Sequence, residues 1–228
     1  MKFRRKSAEA PTEAATDPVE GADPGVGEDA ATGAPAGTDP GAATGPHDAD
    51  DVPGAGADGR IDLGALLIAP RDGMEVRLQV DEETQAVQAV LLAAEEGALE
   101  LRAFAAPRGG DLWGEVRPAI AADFAQRGGT ATEREGRFGT ELVCALTVQM
   151  PDGQTGTQPS RIIGVNGPRW MLRATLLGRP AFEDETAGPW EDVVADVVVR
   201  RGGEAMPVGA ELPLTLPPRD QLVERPLG

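Results

Sequence analysis

The stretch Ile163-Gly164-Val165-Asn166-Gly167-Pro168-Arg169-Trp170-Met171-Leu172-Arg173 decides the fold. Its Asn-Gly-Pro centre is a tight turn, and the residues after the turn alternate as they do in a strand. Successive side chains of a strand point to opposite faces, so Arg169 and Arg173 share one face while Trp170 lies on the other. The stretch therefore predicts a hairpin that places Trp170 in the core and two arginines on the opposite side.

Further strands and helices are predicted on both sides of this hairpin. Short runs of apolar residues bounded by Gly, Pro, Asn and Asp predict strands near residues 61–68, 74–80, 87–93, 99–104, 130–135, 140–150, 158–165 and 169–177. Helical spacing and the possible cap at Asp111 predict a helix that ends at Gly128-Gly129. A second helix opens near Gly188-Pro189, with Trp190 on its apolar face, and ends at Gly202-Gly203. The first four strands are expected to form an antiparallel meander.

The sequence thus predicts an α+β fold with a mostly antiparallel sheet of seven to eight strands and two packed helices. By analogy, the order of elements looks like the PsbP-like or secretion-chaperone-like folds. Residues 1–58 are rich in Ala, Gly, Pro and acidic residues after a basic start, and they are predicted to be a disordered arm. The folded domain is expected to span residues 59–218, followed by a flexible tail at 219–228.

Composition excludes several classes of partner and location. The 228-residue chain has a formal net charge of −17, so a nucleic-acid signal is weak. Without a long apolar stretch, no transmembrane segment is expected, and the acidic residues after the basic start are unlike a signal peptide. A cytoplasmic location is therefore predicted. The basic start offers only a weak contact with a membrane surface, through Lys2, Arg4, Arg5 and Lys6.

Catalytic and metal-binding machinery is sparse. The chain has one histidine, His47, one cysteine, Cys144, and two serines, Ser7 and Ser160. These residues cannot supply a four-ligand zinc site, and His47 lies in a Gly/Pro-rich stretch that gives a nucleophile pair no rigid support. We expect no catalytic residue, no metal and no cofactor, and Cys144 is interpreted as a buried thiol.

Four motifs identify a resemblance, namely 59-GRIDLG-64, 101-LRAFAAP-107, 112-LWGEVR-117 and 164-GVNGPRWMLR-173. In this order they resemble the actinobacterial DUF3710 family over nearly the whole domain. The basic start and the acidic arm also look like that family. The resemblance implies an actinobacterial, cytoplasmic origin, and it carries no catalytic residues to transfer.

Two functions are compared on these grounds. The first is a noncatalytic protein-interaction or adaptor module that binds an unknown protein partner. The alternative is a small-molecule domain or cryptic enzyme that binds an anion through Arg161, Arg169 and Arg173, because guanidinium groups bind carboxylates and phosphates bidentately. In so acidic a chain, we favour a purely structural role for these arginines, in which they pair with acidic neighbours. The three tryptophans are expected to anchor the core, at Trp113, Trp170 and Trp190.

Overall fold

A seven-stranded antiparallel sheet forms the centre of the protein in the computed structural model, which describes residues 45–56, 58–81, 83–84, 86–149 and 153–217. The strand order is β4-β5-β6-β10-β9-β8-β7. The strands are β4 (Glu75–Val80), β5 (Val87–Ala93), β6 (Gly97–Ala105), β7 (Thr130–Gly136), β8 (Gly139–Gln149), β9 (Thr155–Asn166) and β10 (Trp170–Gly178). The strands β4, β5 and β6 are joined by hairpins, and so are β7, β8, β9 and β10. The pairing of β6 with β10 joins these two groups into one sheet.

A second, smaller sheet has the order β1-β11-β3-β2. Its strands are β1 (His47–Asp48), β2 (Ile61–Asp62), β3 (Leu66–Ile68) and β11 (Val198–Val199). Two helices complete the fold, α1 (Leu112–Gln126) and α2 (Asp184–Asp196), together with 3₁₀ turns at Ala49–Asp51 and Arg179–Ala181.

The large sheet is covered on both faces, which explains its two hydrophobic clusters. On one face, α1 packs Leu112, Trp113 and Phe124 against Leu142 of β8 and Met171 of β10. The opposite face packs against α2 and the small sheet, with side chains that include Trp170, Leu172, Trp190, Val194 and Leu66. Buried apolar side chains therefore lie on both faces of the central strands.

The helix α1 forms where its sequence predicts it. The side chain of Asp111 caps it, because Oδ1 accepts a hydrogen bond from the backbone N–H of Gly114 at 2.8 Å. Pro118 lies inside the helix. The helix ends at Gln126, just before Gly128, whose φ of +76° suits a glycine after a helix.

The helix α2 differs from the expected one at both ends. It begins at Asp184, one turn before Gly188-Pro189, so Pro189 lies in the second turn of the helix and removes one intrahelical hydrogen bond. It ends at Asp196, and the valines at 198–199 form β11. β-branched residues suit a strand better than a helix, which explains this early end.

The predicted fold class is confirmed: the protein is α+β, with a seven-stranded antiparallel sheet and two helices. The meander is formed by β4, β5 and β6. The segment 61–68 lies instead in the small sheet.

The ends of the described chain also contact the two sheets. β1 lies upstream of Gly59 and pairs with β11 in parallel. Near the other end, Glu211 bridges to Phe104, and Leu214 bridges to Gly64 and Val87. Residues 1–44 and 219–228, where most of the arm and the tail are predicted, lie outside the described residues. None of the helices in the described part of the chain is long and apolar enough to span a membrane.

Candidate functional site

The three candidate arginines lie in three different places. Arg161 of β9 is paired with Leu176 of β10, so the two side chains share a face of the sheet. Arg173 has odd parity on β10, so it lies on the opposite face, towards α1. Arg169 precedes β10 and lines a separate cleft at the N-terminal end of that strand. The structure therefore does not bring these arginines together into one patch.

Arg161 is part of a buried ion cluster on the α2 face. Its side chain is 2% exposed, and its Nε lies 2.9 Å from Oε1 of Glu141, which is 1% exposed. Arg134 donates to the same oxygen from Nε at 3.0 Å and from Nη2 at 2.8 Å. Arg161 also forms an ion pair with Glu191 of α2. Its charge is neutralised by carboxylates inside the protein, which is the structural role that the sequence favours for it.

Arg173 lines a groove between α1 and the large sheet. The groove has a volume of about 640 Å³ and is open to solvent on one side. Most of its wall is apolar, and the lining residues are Glu100, Phe104, Leu112, Val116, Ala119, Ile120, Asp123, Phe124, Arg127, Ile162, Met171, Arg173, Thr175 and Gly209. This volume lies within the range of about 300–1,000 Å³ that is typical of small-molecule sites.

The guanidinium of Arg173 has no carboxylate partner among the described residues. It lies over the ring of Phe104, with 5.2 Å between its Cζ and the ring centroid. The neighbouring carboxylates are occupied by Arg102, whose Nε donates to Glu100 at 2.9 Å and whose Nη1 donates to Glu211 at 3.0 Å. Burial lowers the pKa of Arg173, and the positive charge of Arg102 lowers it further. An anion at this position would stabilise a partly desolvated cation.

A second arginine, Arg127, lines the groove at the C-terminal end of α1. Arg127 lies over the ring of Phe124 at 4.8 Å and pairs with Asp123 at 2.9 Å. Both carboxylates of the groove, Glu100 and Asp123, are thus already paired with arginines.

The sequence interpretation missed this groove, although one signal was available. In β6 the residues Leu99, Leu101, Ala103 and Ala105 are buried in one cluster, so the intervening Glu100, Arg102 and Phe104 lie on the other face. The strand register then places these three side chains beside Arg173, because Arg102 and Arg173 are directly paired.

The three tryptophans all lie in the interior. Trp113 and Trp170 each donate from Nε1 at 2.7 Å, to the carbonyl oxygen of Thr140 and to Oδ2 of Asp48 respectively. Trp190 is fully buried in the cluster between α2 and the sheet.

Cys144 is also buried, and burial raises the pKa of its thiol to about 11. Within the described ranges, no group of three or more His, Cys, Asp or Glu residues could hold a metal ion.

Comparisons with known proteins give a family and little more. The profile described as "Protein of unknown function (DUF3710)" matches residues 45–222. No curated protein matches the chain. Among solved structures, a crystal structure from Bacteroides thetaiotaomicron is similar with a TM-score of 0.37 and 13% sequence identity. That alignment covers 63% of this chain and 48% of the other, so this chain spans about half the length of that protein.

Proposed function

The chain belongs to the DUF3710 family, and from the groove beside α1 we propose that it is a noncatalytic binding protein for an apolar ligand that ends in one carboxylate. One observation carries this proposal: Arg173 presents a partly buried, unpaired guanidinium within an apolar groove. Such a group favours an anion more strongly than an exposed arginine does, because water screens it less.

The groove favours a single carboxylate over a polyanion. Glu100 of β6 and Asp123 of α1 also line the groove, and Arg127 is already paired with Asp123, so a second negative charge on the ligand would find no unpaired arginine in the described lining. The apolar side chains of Ile120, Ile162 and Met171 provide the contact area for the rest of the ligand. The ligand class is therefore an amphiphile with an acidic head, for which decanoate is a suitable probe.

Binding rather than catalysis is supported by the state of the titratable groups in the groove. Its two carboxylates are held in ion pairs with Arg102 and Arg127, so both are engaged by protein side chains. The described lining contains no histidine, cysteine or serine.

Calorimetric titration of the full chain with decanoate and decanol tests the proposal. We expect saturable binding of decanoate and weaker binding of decanol. Replacement of Arg173 by methionine keeps the apolar stem, so Arg173→Met is expected to weaken decanoate binding by about tenfold or more while decanol binding changes little. The control is Arg77→Met, since Arg77 is 57% exposed on the edge strand β4, away from the groove.

A protein partner is the competing occupant, in keeping with the adaptor role predicted from the sequence. It would insert an acidic and an apolar side chain into the same groove. Decanoate that fails to bind, together with a partner captured from a lysate of the native host by the wild-type chain but not by Arg173→Met, would replace the small-molecule proposal with the adaptor role.

The location stays a prediction from the sequence. Fractionation of the native host, with detection of the protein in the cytoplasmic fraction, is the expected outcome. Enrichment in the membrane fraction would point instead to the basic residues at 2–6, which lie outside the described structure.

A further inference from the structure

A second cleft lies at the N-terminal end of β10, and it shares no lining residue with the groove beside α1. It has a volume of about 290 Å³ and is lined by Asp48, Ala49, Asp50, Arg169, Arg200, Arg201, Gly202 and Gly203. Three segments distant in sequence meet there: β1 with its 3₁₀ turn, the turn before β10, and the loop after β11. From its charges we propose that this cleft binds a small phosphate monoester that also carries a protonated amine.

Two of the three arginines in this cleft are available to an anion. Arg200 is occupied, because its Nη1 donates to both carboxylate oxygens of Asp62, at 3.0 and 3.1 Å. Among the described residues, the Arg169 side chain donates only to the carbonyl oxygen of Gly202, at 3.5 Å. Arg201 donates to the carbonyl of Glu204 at 3.2 Å, and its buried Nε has no hydrogen-bond partner among the described residues. A buried donor without an acceptor is costly, and an anion would supply the missing acceptor.

The loop that follows Arg201 adds two glycines to the lining of the cleft. Neither the N–H of Gly202 nor that of Gly203 donates to another described residue. Gly202 has a φ of +72°, and an added Cβ at either glycine would meet no atom within 4 Å, so a ligand can approach the backbone closely. Consecutive free N–H groups in a turn form a concave site that suits anions. Together with two guanidinium groups, they offer more donors than one carboxylate can accept. The three terminal oxygens of a phosphate monoester match them better.

Two aspartates in the lining of the cleft are the reason for proposing an amine on the ligand. Asp48 accepts from the indole of Trp170 at 2.7 Å and from the backbone of Asp50 at 2.9 Å, so its position is fixed. Asp50 lines the same cleft and is exposed. With the pair Arg200–Asp62 set aside, two negative and two positive charges face the cleft. A ligand with separated charges of both signs is complementary to these walls, whereas a polyphosphate or a nucleic acid would meet the two aspartates.

Calorimetric titration of the full chain with phosphoethanolamine, inorganic phosphate, ethanolamine and glycerophosphoethanolamine tests this assignment. We expect phosphoethanolamine to bind most tightly. The phosphodiester has the same amine but two terminal oxygens, so it is expected to bind at least tenfold more weakly. Equal binding of the diester would overturn the monoester assignment and indicate a lipid headgroup.

Variants locate the site. Arg169→Ala and Arg201→Ala are each expected to weaken phosphoethanolamine binding by roughly tenfold or more. Asp50→Asn is expected to weaken phosphoethanolamine binding while inorganic phosphate binds more tightly, a change of opposite sign that misfolding cannot produce. Arg77→Ala is the matched control for lost positive charge. No saturable binding to the wild type, or the same loss in Arg77→Ala as in the cleft variants, would refute the proposal.

Discussion

Glu141 is the residue on which the buried charges of the large sheet converge. Arg134 and Arg161 both approach its Oε1, and the carboxylate is 1% exposed. A buried charge is tolerated only when opposite charges neutralise it, so the removal of one member leaves the others uncompensated. The cluster also joins the sheet to α2, since Glu191 pairs with Arg161.

We predict that Glu141→Gln lowers the free energy of unfolding by about 3 kcal/mol. The amide keeps the shape of the side chain but removes the charge that faces two guanidinium groups. Urea denaturation monitored by circular dichroism measures the change. In the exposed pair Arg77–Glu75, Arg77→Ala should cost less than about 1 kcal/mol. Equal costs at the two sites would contradict this account of the cluster.

The thiol of Cys144 makes the folding stability of the protein depend on pH in the alkaline range. Burial raises its pKa from about 9 to about 11. The folded state therefore holds this proton more tightly than the unfolded state, so the stabilisation is complete below pH 9 and is lost as the pH rises towards 11. The chain has no tyrosine, and Lys2 and Lys6 are its only lysines, so few other groups titrate in this interval.

We predict that the free energy of unfolding falls by about 2 kcal/mol between pH 9 and pH 11. In Cys144→Ala the stability should be nearly constant over the same interval, whatever the cost of the lost sulfur at neutral pH. Urea denaturation at several pH values distinguishes the two. An unchanged slope in the variant would show that another group is responsible.

The sequence could predict that Trp170 and Arg173 lie on opposite faces of β10, because side chains of one strand alternate. It could not predict where Arg161 lies relative to Arg173. That relation depends on the pairing of two strands, and a register shift of one residue changes the face. The pairing Leu176–Arg161 settles it in the structure. The cleft at Arg169 was also beyond sequence reasoning, since it needs residues near 48 and 200.

The hairpin β9–β10 is held by contacts between glycines and tryptophans. A Cβ on Gly164 would overlap the indole of Trp113 in α1, and a Cβ on Gly167 would overlap that of Trp170. The first glycine lets α1 approach the sheet closely, and the second lets the turn fold over its own tryptophan. Both belong to the motif 164-GVNGPRWMLR-173, so its glycines have a packing role.

We predict that Gly164→Ala lowers the free energy of unfolding by about 2 kcal/mol or more, because α1 must move away from β9. The matched control is Gly203→Ala, where an added Cβ meets no atom within 4 Å and the φ is not in the left-handed region. Its effect should stay within about 0.5 kcal/mol. Thermal and urea denaturation measure both variants, and a similar loss in the control would dismiss the packing explanation.

Among the elements, the strands of the large sheet and α1 were predictable because their signals are local: alternation, a capping aspartate and closing glycines. The start of α2 was not, because its first turn, Asp184 to Ala187, has no side-chain cap and few apolar residues. Packing of Trp190 and Val194 against the sheet stabilises this helix, and its first turn supplies only Ala187 to the buried face.

At the scale of the whole molecule, the described fold includes residues ahead of Gly59. β1 pairs with β11, and Asp48 accepts a hydrogen bond from the buried indole of Trp170. These contacts connect the upstream segment to the centre of the large sheet. The family profile also begins at residue 45.

We predict that a chain starting at Gly59 is less stable than one starting at Gly45 by about 2 kcal/mol, since a buried indole N–H loses its acceptor and two strand residues lose their partner. Asp48→Ala in the longer chain isolates the contribution of the hydrogen bond. Urea midpoints compare the three proteins. Coincident midpoints would show that the domain is complete from Gly59 onward, as the sequence predicts.

The burial of β10 between two layers limits how the chain can change in length. An insertion of one residue within this strand, upstream of Leu172, would turn Arg173 towards Trp190 and Leu66 and turn Leu172 towards α1. An insertion of two residues would restore every side chain to its own layer. Natural variants of this strand are thus expected to differ in length by even numbers of residues, a parity rule that aligned sequences can reveal without any experiment on the protein.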